Sequence, residues 1–207
     1  MTSRSYPDPF YPVVDSVSWV SRLAALGVGT VQIRAKDLDE TAARRLVDEA
    51  LAAVAGTQTR LVVNDYWRAA IDAGAHHLHL GQEDLAEADL AAIRKAGLTL
   101  GISTHDEAEL DTALAAAPDY VALGPIYFTT LKAMRFAPQG LERIGEWKKR
   151  IGEIPLVAIG GITLERAPGI FAMGADSIAV VSDVTQNPDP DRRVRDWLAL
   201  AKPSRDR

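Results

Sequence analysis

Short apolar runs rich in β-branched residues alternate with longer, alanine-rich segments along the chain. The apolar runs begin near Tyr11 (YPVV), Thr30 (TVQIR), Arg60 (RLVVN), His77 (HLHL), Leu98 (LTLGIS), Tyr120 (YVALG), Pro155 (PLVAIG) and Ser177 (SIAVVS). Their starts lie 17 to 35 residues apart. That is too long for a tight hairpin and long enough for the crossover that joins parallel strands. The connecting segments read as helices. Residues 41–55 carry Leu46, Ala50, Leu51 and Val54 at helical spacing, and 87–96 and 107–116 are similar. Asp15-Ser16 and Thr104-His105-Asp106 stand where helix N-caps are needed.

Eight such units in 207 residues, about 26 per unit, predict a single (β/α)8 TIM barrel. Its active site is expected at the C-terminal ends of the strands. The rival fold, a doubly wound open sheet, usually carries a glycine-rich phosphate turn, and the chain has no G-x-G-x-x-G or Walker sequence. No linker or shift in composition divides the chain. Residues 1–207 are therefore expected to form one domain, with tails at 1–9 and 203–207. The Asn187-Pro188-Asp189-Pro190 stretch is expected as a turn before the last helix.

Composition narrows the chemistry. The absence of cysteine excludes disulfides, a thiolate nucleophile, Cys-ligated zinc and iron–sulfur clusters. A net charge of −5 without a Lys/Arg block gives no electrostatic reason to expect nucleic acid. The longest nearly uninterrupted apolar stretch, 154–162, is far short of a membrane span, and the N-terminus has no apolar signal core. A soluble cytoplasmic protein with small-molecule partners is the expectation, with neither nucleic acid nor membrane among them. The sequence leaves a homodimer open.

Polar residues gather at the expected strand ends. Gln32, Arg34 and Lys36 alternate with apolar or small residues and so share one face. On the barrel interior, the two cations and the amide suit a polyphosphate; the bland alternative is a solvated edge. Asn64-Asp65 follows the third strand, where a turn or helix cap is the competing explanation. Asp84 lies past the fourth. Two carboxylates facing a cationic strand make a sparse oxygen site of the kind Mg2+ uses. His79 is placed nearest the mouth among the histidines, none of which has metal-ligand spacing. Ser103 either meets a substrate or caps a helix. The long segment after the sixth strand holds Thr129, Thr130 and Lys132, with room for a lid. Gly160-Gly161 and Val181-Ser182 follow the last two strands, where barrels often bind phosphate through backbone N–H groups. A tight turn is the alternative reading of the glycine pair.

The segments VQIRAKD, VNDYW, HLGQEDL, GISTH, ALGPIYFTTLK, APQGLERI, VAIGGI and SIAVVS occur in this order between Tyr11 and about Thr185. Together they resemble the thiamine-phosphate synthase (thiamine-phosphate pyrophosphorylase) family. The resemblance implies a (β/α)8 transferase that joins 4-amino-2-methyl-5-(pyrophosphooxymethyl)pyrimidine to a thiazole phosphate and releases pyrophosphate. It implies Gln32, Arg34 and Asn64 at the pyrimidine pyrophosphate, with Lys36 and Lys132 on its phosphates. Asp65 and Asp84 would be the Mg2+ ligands, and His79 and Ser103 would lie near the pyrimidine. Thr129, Gly161, Val181 and Ser182 would hold the thiazole phosphate. Arg34, Lys36, Ser103 and Lys132 are the implied catalytic set. One departure stands out: where the family commonly has a second threonine in the sixth loop, this chain has Leu131, which cannot hydrogen-bond a phosphate. A thiazole tautomerase on the same fold and a non-catalytic ligand-binding barrel are the competing functions. The joint presence of Arg34, Lys36, Asp65, Asp84 and Lys132 argues against the tautomerase.

Overall fold

The structure, a computed structural model, describes residues 6–128 and 136–201. Its strands are β1 (Phe10–Val14), β2 (Thr30–Ile33), β3 (Arg60–Asn64), β4 (His77–Leu80), β5 (Thr99–Thr104), β6 (Tyr120–Leu123), β7 (Leu156–Ile159) and β8 (Ser177–Val180). They pair in parallel in sequence order, and β8 closes on β1. The predicted (β/α)8 TIM barrel is the observed fold.

The helices are α1 (Val17–Ala25), α2 (Glu40–Val54), α3 (Trp67–Asp72), α4 (Gln82–Glu87), α5 (Leu90–Lys95), α6 (Glu107–Ala115), α7 (Gly140–Ile151), α8 (Ala167–Ala172), α9 (Ser182–Thr185) and α10 (Pro190–Leu200). In α2 the fully buried face is Ala43, Val47 and Ala50, while Leu46, Leu51 and Val54 are only partly covered. Small side chains bring the helix close to the sheet, and the larger ones pack to either side. The expected helix at 87–96 is two helices. The Asp89 carboxylate accepts from the Ala92 N–H at 2.9 Å and starts α5 afresh. Asp189 likewise caps α10, where the turn before the last helix was expected.

Because strand side chains alternate, each strand serves two cores. Outward residues such as Val31, Leu78, Ile102, Val121 and Ile178 pack under the helices. Inward residues Tyr11, Val13, Val62, Tyr120, Ala122, Val157 and Ala179 fill the barrel. On the outside Trp197 of α10 stacks on Phe10, with ring centroids 5.3 Å apart, and donates Nε1–H to Asp183 at 2.8 Å. Truncating so large a buried aromatic typically costs about 3–5 kcal/mol.

The boundary expected at residue 9 is corrected. Residues 6–9 are no tail: they close the N-terminal end of the barrel. The Asp8 carboxylate accepts from Thr30 Oγ1 at 2.7 Å and from Arg60 Nη2 at 2.5 Å, and its carbonyl accepts from Ser177 Oγ at 2.6 Å. Tyr6 stacks on His77, and the Arg60 guanidinium lies 5.0 Å over its ring. One short segment thus ties together the starts of β2, β3, β4 and β8.

Candidate active site at the barrel mouth

The opposite, C-terminal end opens into a cavity of about 560 Å³. Gln32, Arg34, Asn64, His79, Ser103, Gly161, Val181 and Ser182 all line it. They come from six different strands or the turns just after them, and inward phase at the end of each strand brings them together. Gln32, Asn64 and His79 are buried. Asn64 lines the cavity, and its Nδ2 is buried without a hydrogen-bond partner among the described residues. Arg34 has no ion pair or side-chain hydrogen bond among the described residues. Its charge helps hold His79 neutral: burial first, and Arg34 second, push that imidazole down to about 3.

Helix capping does not account for Ser103 or Asp65. Asp106 caps α6 by accepting from the Glu109 N–H, and Tyr66 occupies the N-cap of α3. Ser103 Oγ instead meets His79 Nε2 at 2.8 Å. Gly160 and Gly161 have backbone φ of 100° and 63°. A Cβ on Gly161 would fall 2.4 Å from the Phe128 carbonyl oxygen, and one on Gly160 2.6 Å from Pro125 Cβ. Contact with the segment after β6 therefore already requires both glycines, so the tight-turn reading of the pair holds alongside any phosphate contact.

Lys36, Asp65 and Asp84 stand outside this cavity. β2 ends at Ile33, so the alternation that predicted a shared face for Gln32, Arg34 and Lys36 stops short of Lys36, which is exposed. Asp65 and Asp84 line an adjoining cleft of about 230 Å³. Asp65 has a left-handed backbone, φ 64°, which turns it out of the strand. Burial, then the charge and hydrogen bond of Asp84, raise its carboxyl to about 6; Lys36 and the Gly81 N–H oppose the shift. Two carboxylates in contact at this rim repel when both are ionised. A hard divalent cation would relieve that repulsion, so the donor set fits Mg2+. Among the described residues no three His, Asp or Glu side chains gather as a metal cage. Thr129, Thr130, Leu131 and Lys132 lie outside the described residues.

Two neighbours of the site were missed at the level of sequence. Tyr11 and Tyr120 point inward and carry hydroxyls that bond to each other and to Gln32 and His79. The available signal was a tyrosine at an inward position of a buried strand, since a buried phenol must find a partner.

A family model described as Thiamine monophosphate synthase matches residues 10–184. The chain is 61% identical to a thiamine-phosphate synthase of Rhizobium etli over 96% of this chain and 97% of that one. It is 51% identical to one of Klebsiella pneumoniae over 94% of each. A thiamine phosphate pyrophosphorylase structure from Pyrococcus furiosus, 24% identical, superposes with TM-score 0.81 over 93% of this chain and 94% of that one. A 3-hexulose-6-phosphate synthase reaches TM-score 0.69 at 13% identity, covering 94% of this chain and 100% of that one. At such identities both structures speak to the fold alone. The sequence relatives go further, and on their identity and coverage the chain belongs to the thiamine monophosphate synthase family of enzymes.

Proposed function

We propose that this enzyme couples 4-amino-2-methyl-5-(pyrophosphooxymethyl)pyrimidine to a thiazole phosphate, forming thiamine phosphate and pyrophosphate. The observation that carries the reading is the pairing of two unlike sites at one mouth. A cavity whose Arg34 has no partner among the described residues, and which Asn64 also lines, adjoins a carboxylate pair flanked by Lys36. A volume of about 560 Å³ is within the range that holds small ligands.

The chemistry needs little proton transfer. The methylene C–O bond breaks, and its electrons leave with pyrophosphate. The aminopyrimidine delocalises the positive charge that remains, and the thiazole nitrogen closes the new C–N bond. Arg34, with Lys36 and Lys132, stabilises the leaving charge electrostatically. Gln32, Asn64, His79 and Ser103 fix the pyrimidine, while Thr129, Gly161, Val181 and Ser182 hold the thiazole phosphate. Asp65 and Asp84 would hold Mg2+, which when bound supplies neutralising charge to the pyrophosphate. A cytoplasmic reaction belongs to the same proposal, as suits the coupling of two small soluble substrates. Among the described residues no helix is long and apolar enough to cross a membrane.

The test is a coupled pyrophosphate-release assay with both substrates, with and without Mg2+. Release that requires all three components is expected. Thiazole isomerisation in the absence of the pyrimidine would instead identify a tautomerase. Tight thiamine phosphate binding without turnover would identify a binding protein.

A further inference from the structure

Five inward side chains from five strands form one unbroken hydrogen-bonded line across the barrel. Gln32 Nε2 donates to the Tyr11 hydroxyl at 2.7 Å. The Tyr11 and Tyr120 hydroxyls are 2.9 Å apart. Tyr120 Oη lies 2.9 Å from His79 Nδ1, and His79 Nε2 lies 2.8 Å from Ser103 Oγ. The line begins and ends at cavity-lining residues, Gln32 and Ser103, whereas Tyr120 is fully buried beneath the cavity and does not line it. Space for its ring is made by Gly101: a Cβ there would fall 1.9 Å from Tyr120 Cζ.

The line has a direction. Burial raises the pKa of both tyrosines, so each hydroxyl keeps its single hydrogen. With the Gln32 amide donating to Tyr11, the Tyr11 hydrogen has one acceptor among the described residues, Tyr120. Tyr120 then donates to His79 Nδ1. A neutral imidazole that accepts at Nδ1 carries its hydrogen on Nε2. That N–H donates to Ser103 Oγ, which leaves the serine's own hydrogen for the cavity. With the Gln32 amide in this orientation, the reverse direction would leave the Tyr11 hydrogen without an acceptor among the described residues.

We propose that Tyr11 and Tyr120 are positioning residues that lock His79 in the Nε2–H tautomer and so make Ser103 a hydrogen-bond donor to substrate. At the other end, the Gln32 carbonyl oxygen has no partner among the described residues and can accept. The cavity thus offers an acceptor on one side and a donor on the other. This suits an N-heterocycle with an exocyclic amino group and an unprotonated ring nitrogen, and disfavours the oxo analogue, whose donors and acceptors are reversed. The substrate half of this inference rests on the coupling reaction proposed above; the tautomer does not.

Long-range 1H–15N correlation on ligand-free protein labelled with 15N-histidine reads the tautomer directly. The Nε2–H form of His79 is expected in the unaltered chain. In Tyr120→Phe, Nδ1 loses its donor and a mixture of tautomers is expected. In the pyrophosphate-release assay that variant is expected to raise KM for the pyrimidine about tenfold with a smaller change in kcat. Selectivity for the 4-amino over the 4-oxo pyrimidine, measured by competitive inhibition, should fall with it. Tyr11→Phe is expected to act in the same direction and serves if Tyr120→Phe does not fold. An Nδ1–H tautomer in the unaltered chain overturns the proposal. So does a folded variant with an unchanged tautomer and unchanged KM. An Nε2–H tautomer in a protein that releases no pyrophosphate supports the relay while sinking the reaction.

Discussion

At the N-terminal end of the barrel, Asp8 links Thr30 and Arg60, its carbonyl takes Ser177, and Tyr6 covers His77. At the C-terminal end, Arg34 lacks a partner among the described residues, Asn64 keeps an unpaired donor, and Asp65 and Asp84 repel. The same strands build both ends. The difference lies in what meets the strand ends: a segment of the chain itself at one, an open cavity at the other. Polar groups satisfied within the chain stabilise the fold, whereas those left poised can act on a ligand. Barrels generally divide stability and function in this way.

This division can be broken experimentally, and the largest effect is expected at the mouth. Arg34→Ala should lower turnover by about 10² to 10³, because it removes charge that matters as pyrophosphate leaves. The melting temperature should hardly change, since the guanidinium has no ion pair or hydrogen bond to lose among the described residues. Asp65→Asn should also remove most turnover and leave the fold intact, because asparagine tolerates the left-handed backbone at this position while one carboxylate of the pair goes. Pyrophosphate release and a thermal melt on the same samples check both; a large fall in melting temperature would count against the division.

Asp8→Ala at the closed end should do the reverse. Losing charge-assisted bonds to Arg60 and Thr30 is expected to cost about 2 kcal/mol. For a chain of this length that lowers the melting temperature by about 4–8 °C. Turnover well below the melting transition should stay within about twofold. A loss of activity in the folded protein would show that the two ends are coupled.

The last effect is absent at neutral pH and appears only in acid. Burial first, then the charges of Arg60 and His76, push His77 down from 6.5 to about 4. A group with a lowered pKa in the folded state favours folding fully above its unfolded value. That contribution should be lost as pH falls from about 6.5 towards 4. His77→Phe keeps a ring against Tyr6 and removes the titration. Urea melts across this range should show a shallower acid dependence in the variant, and an unchanged slope would place the titration elsewhere.

Much of the mouth was legible in the sequence because it lies within reach of strand periodicity. Gln32, Arg34, Asn64, His79 and Ser103 each sit at an inward position near the C-terminal end of a short apolar run, and the closed barrel brings them together. Lys36 was not legible in this way: β2 stops at Ile33, and a period of two says nothing beyond the last paired residue. Residues 6–9 were misread as a tail because their partners, Thr30, Arg60, His77 and Ser177, are remote in sequence. No local pattern marks a proline- and aspartate-bearing segment as a plug.

The sequence by itself determined that there are eight β/α units, that Gln32 and Arg34 share one strand face, and which polar residues stand at the strand ends. Those properties depend on neighbours along the chain, through side-chain alternation and turn chemistry. Closure and register were decided only by the tertiary structure. They set Tyr11 against Tyr120 across 109 residues and slide His79 between Tyr120 and Ser103. A hydroxyl's hydrogen points where its acceptor is, and that acceptor is on another strand. The direction of the buried line, and so the polarity of the Ser103 hydroxyl, therefore belongs to the assembled barrel and to no segment of it.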